Sequence, residues 1–244
     1  MAARLEGTAA LIVGPYSGRS AGMIDTLFPQ DVHTYCTDEE PDPGLLDPEE
    51  ANCIRNAVPG RQIEFAQGRL CARRALAHLG IRDFPLLMGK DRAPIWPENI
   101  VGSLSHCAGY CAVALGSKRH IAGLGLDVEV VGPLEEKLLP LICGASELAW
   151  LAKWPDAERG VLAKLVFSAK ESVFKCVYPL TRVFLDFHDC DIRLHESSGT
   201  FTARIVNHLL PQPWNGRRLR GRFARNRERL FTGVVQPAEP AQLP

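Results

Sequence analysis

The stretch "GVLAKLVFSAKESVFKCVYPL" (160–180) restricts the fold more than any other part of the chain. Leu162, Val166, Ala169, Val173 and Val177 recur at helical spacing and form one apolar stripe. A helix with such a stripe must bury it against a sheet or another helix. Ser168, Glu171 and Lys175 form a polar stripe at i, i+3 and i+7, and Pro179 is expected to end the helix. Glu171 precedes Lys175 by one turn, the favourable order for an ion pair. Taken alone, the pair reads as a surface salt bridge worth about 0.2–0.5 kcal/mol.

A second helix is expected over "RQIEFAQGRLCARRALAHLG" (61–80). Phe65, Ala72, Leu76 and Leu79 recur at helical spacing, Gly80 is the stop, and Arg69 and Arg73 share a face. Before it, "DEEPDPGLLDPEE" (38–50) reads as an acidic surface loop running into a helix start near Asp47-Pro48. Two closing hairpins are expected, one around "DIRLHESSGTFTARIV" and one joining "RLRGRF" to "LFTGVV". "YCAVALGS" (110–117) fits a short buried strand or a helix, and periodicity does not decide. No internal sequence repeat is visible. Helices mixed with hairpins argue for an α+β fold.

"HIAGLGLDVEVV" (120–131) reads as a strand that Gly132-Pro133 breaks. Asp127 and Glu129 are two apart, so they project side by side from one face. Two bare carboxylates there repel, and burial worsens this. A hard divalent cation such as Mg²⁺ relieves both, because it takes carboxylates, phosphates and water as ligands. A solvated strand face bearing two acids is the equal alternative. "GSLSHC" sets His106 after a serine-containing turn. A histidine there is either a satisfied core residue or, beside backbone N–H groups, a phosphate contact.

Composition excludes several classes. No apolar run can span a bilayer, and the first twenty residues do not read as a signal peptide, so a cytoplasmic chain is expected. The eight cysteines include no C-x-x-C pair and no zinc spacing, and several lie in apolar segments as small hydrophobes. Net charge is zero but uneven. Residues 1–60 carry ten acids and three bases, and residues 201–244 carry eight arginines and two acids. The arginine-rich tail alternates basic and apolar residues as half of a hairpin. A solvated sheet face is therefore expected rather than a nucleic-acid site.

The ordered pieces "GRLCARRAL", "RAPIWP", "GSLSHC", "GLGLDVE", "FSAKESVFK" and "YPL" resemble a 4′-phosphopantetheinyl transferase of the large surfactin/enterobactin-synthase type, bacterial siderophore and polyketide branch. The likeness runs from about Arg61 to Leu180, and "LRGRFARNRERLFTGVV" fits the closing hairpin. The specific signature is G-x-D-x-E followed by K-E-S-x-x-K.

The resemblance implies two similar α+β subdomains about a pseudo-twofold axis, 1–122 and 123–244, with coenzyme A in the cleft between them. It implies transfer of the phosphopantetheine arm to a serine of an apo acyl or peptidyl carrier protein, with release of 3′,5′-ADP, by a monomer dependent on Mg²⁺ or Mn²⁺.

Carried over by position, the resemblance makes Asp127, Glu129 and Glu171 metal ligands, with Glu171 or a metal-bound water taking the serine proton. Lys175 and His106 match pyrophosphate contacts, Arg61 and Arg69 match 3′-phosphate contacts, and Lys170 matches a neighbour of the metal ligand. Gly102 and Ser105 belong to a phosphate-side loop. Phe167 replaces a frequent tryptophan. Met88 replaces a nucleotide-side lysine, for which Lys90 or Arg92 could substitute. The competing readings are a Mg²⁺-dependent phosphohydrolase with the same acids and a coenzyme A-binding module without turnover.

Overall fold

The computed structural model describes residues 21–239. The expectation about a signal peptide concerns residues outside that range. In chain order the elements are α1 (Ala21–Asp25), β1 (Val32–Thr37), α2 (Pro48–Ile54), α3 (Pro59–His78), β2 (Ile100–Cys107), β3 (Tyr110–Ser117), β4 (Ile121–Val130), α4 (Leu139–Ile142), α5 (Ala145–Leu151), α6 (Asp156–Thr181), β5 (Cys190–His195), β6 (Thr200–Ile205), β7 (Arg218–Arg225) and β8 (Arg229–Pro237). β1, β3 and β2 form one antiparallel sheet in that order. β4, β8, β7, β6 and β5 form the other.

The local signals act as expected at most ends. Asp47 caps α2 through a capping box with Glu50, and Pro48 fills the first turn. α3 stops before Gly80, whose φ of 78° suits a residue without a Cβ. Both closing hairpins form, the first turning through Gly199. One end differs. Pro179 does not stop α6, which runs to Thr181 and ends on Arg182 in the left-handed conformation. In the last turn the missing proline N–H removes one bond and leaves the remaining carbonyls free to close the helix.

β3 is a strand, and its burial explains the ambiguity of its sequence. Cys111, Val113 and Leu115 pack on Cys71, Ala72 and Leu76 of α3. Tyr110, Ala112 and Ala114 face Ile24, Leu27, Leu124 and Leu126. A strand covered on both faces loses its alternation. β7 shows the opposite case: Arg218, Arg220 and Arg222 are exposed while Leu219 and Gly221 are buried, the solvated sheet face expected.

The two halves follow similar chain paths: a strand, one short helix in the first and two in the second, a long helix, then antiparallel strands, the last pairing with the first. β1 pairs with β3 in the first half, and β4 with β8 in the second. The stripe of α6 (Leu162, Val166, Ala169, Val173, Val177) lies in the core against Ile192, Phe201, Ala203 and Val234. This is the mixed fold that the pattern of elements predicts.

Candidate functional site: a cleft between two sheet edges

The site begins with two glycines. A Cβ on Gly125 would stand 1.8 Å from the carbonyl oxygen of Ser172, and one on Gly123 would stand 2.6 Å from that of Cys176. The "GLG" run therefore lets α6 lie directly on β4. On the same face of the strand, Asp127 and Glu129 follow, so they meet α6 at its polar stripe.

The edges of the two sheets meet beside this contact. β2 and β4 share no backbone ladder. Serines join them instead: Ser103 Oγ accepts from Leu126 N–H at 2.9 Å, and Ser105 Oγ accepts from Val128 N–H at 3.2 Å. Ser105 also donates to Asp127 Oδ1 at 3.0 Å. Lys175 reaches in from α6. Its Nζ donates to Asp127 Oδ1 at 2.7 Å, Ser105 Oγ at 3.1 Å and the Leu126 carbonyl at 3.2 Å. One ammonium thus binds both sheet edges to the long helix. Gly102 and Ser105 lie inside β2 rather than in a loop, as does His106. A Cβ at Gly102 would fall 2.5 Å from the Trp96 ring and 2.8 Å from Leu115, so the glycine makes room for both.

The acids are crowded. Asp127 is 4 % exposed, and its Oδ2 is buried without a hydrogen-bond partner among the described residues. Burial, then the Asp127 charge, raises the carboxyl pKa of Glu129 above its ordinary value, with Lys164 and Lys175 opposing. Lys164 Nζ stands 4.0 Å away. Burial also raises Glu171, opposed by Lys175 and reinforced by Asp127. Among the described residues no three such groups converge closely enough to hold a metal as they stand. Lys175 occupies Asp127 Oδ1. The orphaned oxygen and the two carboxyls made harder to ionise are nevertheless all oxygen donors. That set suits a hard divalent cation.

From Lys175 a cleft of about 1230 Å³ opens between the halves. Arg61, Arg69, Lys90, Arg92, Gly102, Ser105, His106 and Lys175 all line it. Arg69 is 5 % exposed and lies 3.9 Å over the Phe65 ring; desolvation pushes its pKa down to about 10, and its Nε has no partner among the described residues. A buried cation of this kind attracts an anion strongly. At the mouth Arg61 Nη1 lies 3.1 Å from His106 Nε2 and 3.0 Å from Glu64 Oε2. The cleft also holds residues that the sequence did not single out: Trp96, Phe174, Tyr178 and Arg182, the last paired with Asp91 at 2.7 Å. Beside Glu171 a smaller, mainly apolar hollow of about 150 Å³ is lined by Lys170, Phe174, Phe184, Leu185, Asp186 and Phe187. Phe167, in the position of a frequent tryptophan, packs its ring 5.6 Å from Phe187.

Lys170 does not join the cleft. It is 3 % exposed and points away from Lys175, donating to the Ile142 carbonyl at 2.8 Å, Glu147 Oε2 at 2.7 Å and the Phe187 carbonyl at 2.8 Å. An ammonium has three hydrogens, and these bonds use all of them. These contacts are structural ones, and Lys170 also lines the small hollow beside Glu171.

A cleft lined by the buried Arg69 and further cations, with Lys175 bonded to a buried carboxylate, suits a phosphate-bearing ligand. Comparison with known proteins names the class. Residues 49–116 match the 4′-phosphopantetheinyl transferase N-terminal domain, and residues 123–241 match the 4′-phosphopantetheinyl transferase superfamily. The chain is 44 % identical over 231 residues to the 4′-phosphopantetheinyl transferase Svp of Streptomyces mobaraensis, covering 90 % of this chain and 91 % of that one. It is 35 % identical over 199 residues to PptT of Mycobacterium tuberculosis, covering 79 % and 87 %. It is 38 % identical over 128 residues to enterobactin synthase component D of Salmonella typhimurium, covering half of each. The chain belongs to the 4′-phosphopantetheinyl transferase superfamily.

Proposed function

We propose that this protein transfers the phosphopantetheine arm of coenzyme A to a serine hydroxyl of an apo acyl or peptidyl carrier protein, with 3′,5′-ADP as the leaving group. The observation that supports this most is the Lys175 junction, where one ammonium, a buried carboxylate with a free oxygen and the inner end of the cleft coincide. In this reading Arg69 and Arg61 hold the 3′-phosphate, with Lys90 and Arg92 along the nucleotide side. Lys175 and His106 orient the pyrophosphate. The apolar hollow beside Glu171 takes the pantetheine arm. Residues 1–122 and 123–244 are the two halves, and the protein acts in the cytoplasm as a monomer.

Displacement at phosphorus depends on in-line positioning and charge neutralisation. Asp127, Glu129 and Glu171 would hold Mg²⁺ or Mn²⁺. Such an ion, when bound, polarises the phosphoryl group and stabilises the departing ADP. Glu171 accepts the serine proton at its carboxylate; its raised pKa brings it nearer the working pH of a general base. The test is intact mass spectrometry of an apo carrier protein incubated with this protein, coenzyme A and Mg²⁺. A gain of one phosphopantetheine group is expected. Coenzyme A cleavage without that gain would make the protein a phosphohydrolase, and binding without cleavage a non-catalytic module.

A further inference from the structure

The two long helices are each held by the same buried carboxylate device. In the second half Glu147, 2 % exposed, accepts from the Gly144 N–H at 2.7 Å and from Lys170 Nζ at 2.7 Å through Oε2, and from the Ile192 N–H at 2.7 Å through Oε1. Lys170 also bonds the Ile142 carbonyl. In the first half Glu50, fully buried, accepts from the Asp47 N–H at 3.0 Å and from Arg73 through Oε2, and from the Leu86 N–H at 2.8 Å through Oε1. Arg73 also bonds the Leu45 carbonyl at 3.0 Å. The sequence separations agree in the two halves: 3 residues from cap to glutamate, 23 from glutamate to cation, and 28 from carbonyl to cation. Glutamate stands in both places, whereas the cation is arginine in one and lysine in the other.

Each device joins the N-cap of a short helix, a segment beyond the long helix (Leu86 in a loop, Ile192 in β5) and one face of that long helix. It therefore sets the rotation of that helix about its axis. Lys170 immediately precedes Glu171 and lies five residues before Lys175. Arg73 lies one turn after Arg69 on the same face. We propose that Glu147, through Lys170, is a positioning residue for the reacting end of α6, and that Glu50, through Arg73, positions the arginines of α3 that hold the nucleotide. The assignment of ends rests on the transfer reaction proposed above; the clamping of the helices does not.

Removing one partner leaves an uncompensated buried charge, so single variants risk unfolding. Paired variants avoid this: Glu147→Gln with Lys170→Met, and Glu50→Gln with Arg73→Met. Three measurements suit them, namely steady-state transfer with coenzyme A varied, calorimetric coenzyme A binding, and backbone hydrogen exchange. The Glu147 pair should lower kcat about ten- to a hundredfold, the scale on which a misplacement of about 1 Å acts, with KM and Kd for coenzyme A within about threefold. The Glu50 pair should raise KM and Kd about tenfold with kcat within about threefold. Exchange should rise in 168–176 only for the first pair and in 65–73 only for the second.

Equal changes in kcat and KM for both pairs would mark general structural loss and overturn the positioning role. So would unchanged exchange, or a Glu147 pair with the parent's kcat. A rise in KM and Kd for coenzyme A in the Glu147 pair would return Lys170 to the binding site. If the parent transfers nothing, the reaction is wrong, and exchange still decides whether the clamps hold the helices.

Discussion

At the residue scale, the three acids of the site are not equivalent. Asp127 accepts from Lys175 and Ser105, whereas the surroundings of Glu129 and Glu171 disfavour their charge. All three substitutions, Asp127→Asn, Glu129→Gln and Glu171→Gln, are expected to abolish transfer. Their stabilities should separate. Asp127→Asn removes a charge-assisted bond of about 1.5–3 kcal/mol and lowers the melting temperature. Glu129→Gln and Glu171→Gln relieve repulsion, so in EDTA their melting temperatures should equal or exceed the parent's.

The sign with pH follows from linkage. A carboxyl raised in the folded state binds more protons folded than unfolded. Its favourable contribution is full below the ordinary carboxylate value and is lost as pH rises through the raised one. The advantage of the two glutamine variants should therefore grow across that window and vanish below it. Calorimetric scans in EDTA from pH 4 to pH 8 check this, and an advantage that is greatest at the acid end would refute it. Arg69 belongs at this scale too. A contact to a distant phosphate persists from ground to transition state, so Arg69→Ala should raise KM for coenzyme A about ten- to a hundredfold and leave kcat within a few-fold. Dephospho-coenzyme A, which lacks that phosphate, should not discriminate the variant from the parent in steady-state kinetics.

At the element scale, the site depends on how closely α6 approaches β4. Gly125→Ala would set a methyl 1.8 Å from the Ser172 carbonyl oxygen, and backbone cannot yield there as a side-chain tip could. The two elements must separate, which costs about 1–3 kcal/mol or more and parts Lys175 from Asp127. Urea unfolding should show the loss of stability, and transfer should fall with it. The same substitution at Gly109, a turn glycine with no atom within 4 Å of its Cβ but with φ at 75°, should cost only local strain and leave transfer intact. Ser103 and Ser105 matter because they replace a backbone ladder between β2 and β4, which places a hydroxyl and an ammonium at the seam.

At the scale of the whole molecule, Cys71, Cys111, Cys143, Cys176 and Cys190 are packing residues in the cores, and Cys36, Cys53 and Cys107 are half-buried. All eight remain free thiols. Burial pushes Cys176 and Cys190 up to about 12, and Cys107 and Cys143 to about 11. The thiolate is the nucleophile, so these groups react slowly at neutral pH. Iodoacetamide at pH 7.5 should leave transfer unchanged over the time in which free glutathione is consumed; rapid inactivation would show an exposed, functional thiol.

What the sequence determined on its own was whatever depends on near neighbours. The α2 cap at Asp47, the stop at Gly80, the stripe of α6, the hairpin turns and the shared face of Asp127 and Glu129 follow from spacing and local backbone preference. The motifs also placed Arg61, Arg69, His106 and Lys175 in one cleft, because their order matched a known family. Tertiary structure decided the rest. β3 was ambiguous because burial on both faces erases its period. Lys170 turned away from the cleft because Glu147, 23 residues distant, and two carbonyls from other segments take its hydrogens. The repeat of the two halves was invisible because only a glutamate, a cation of either kind and backbone groups need persist, and backbone groups leave no mark in side-chain sequence.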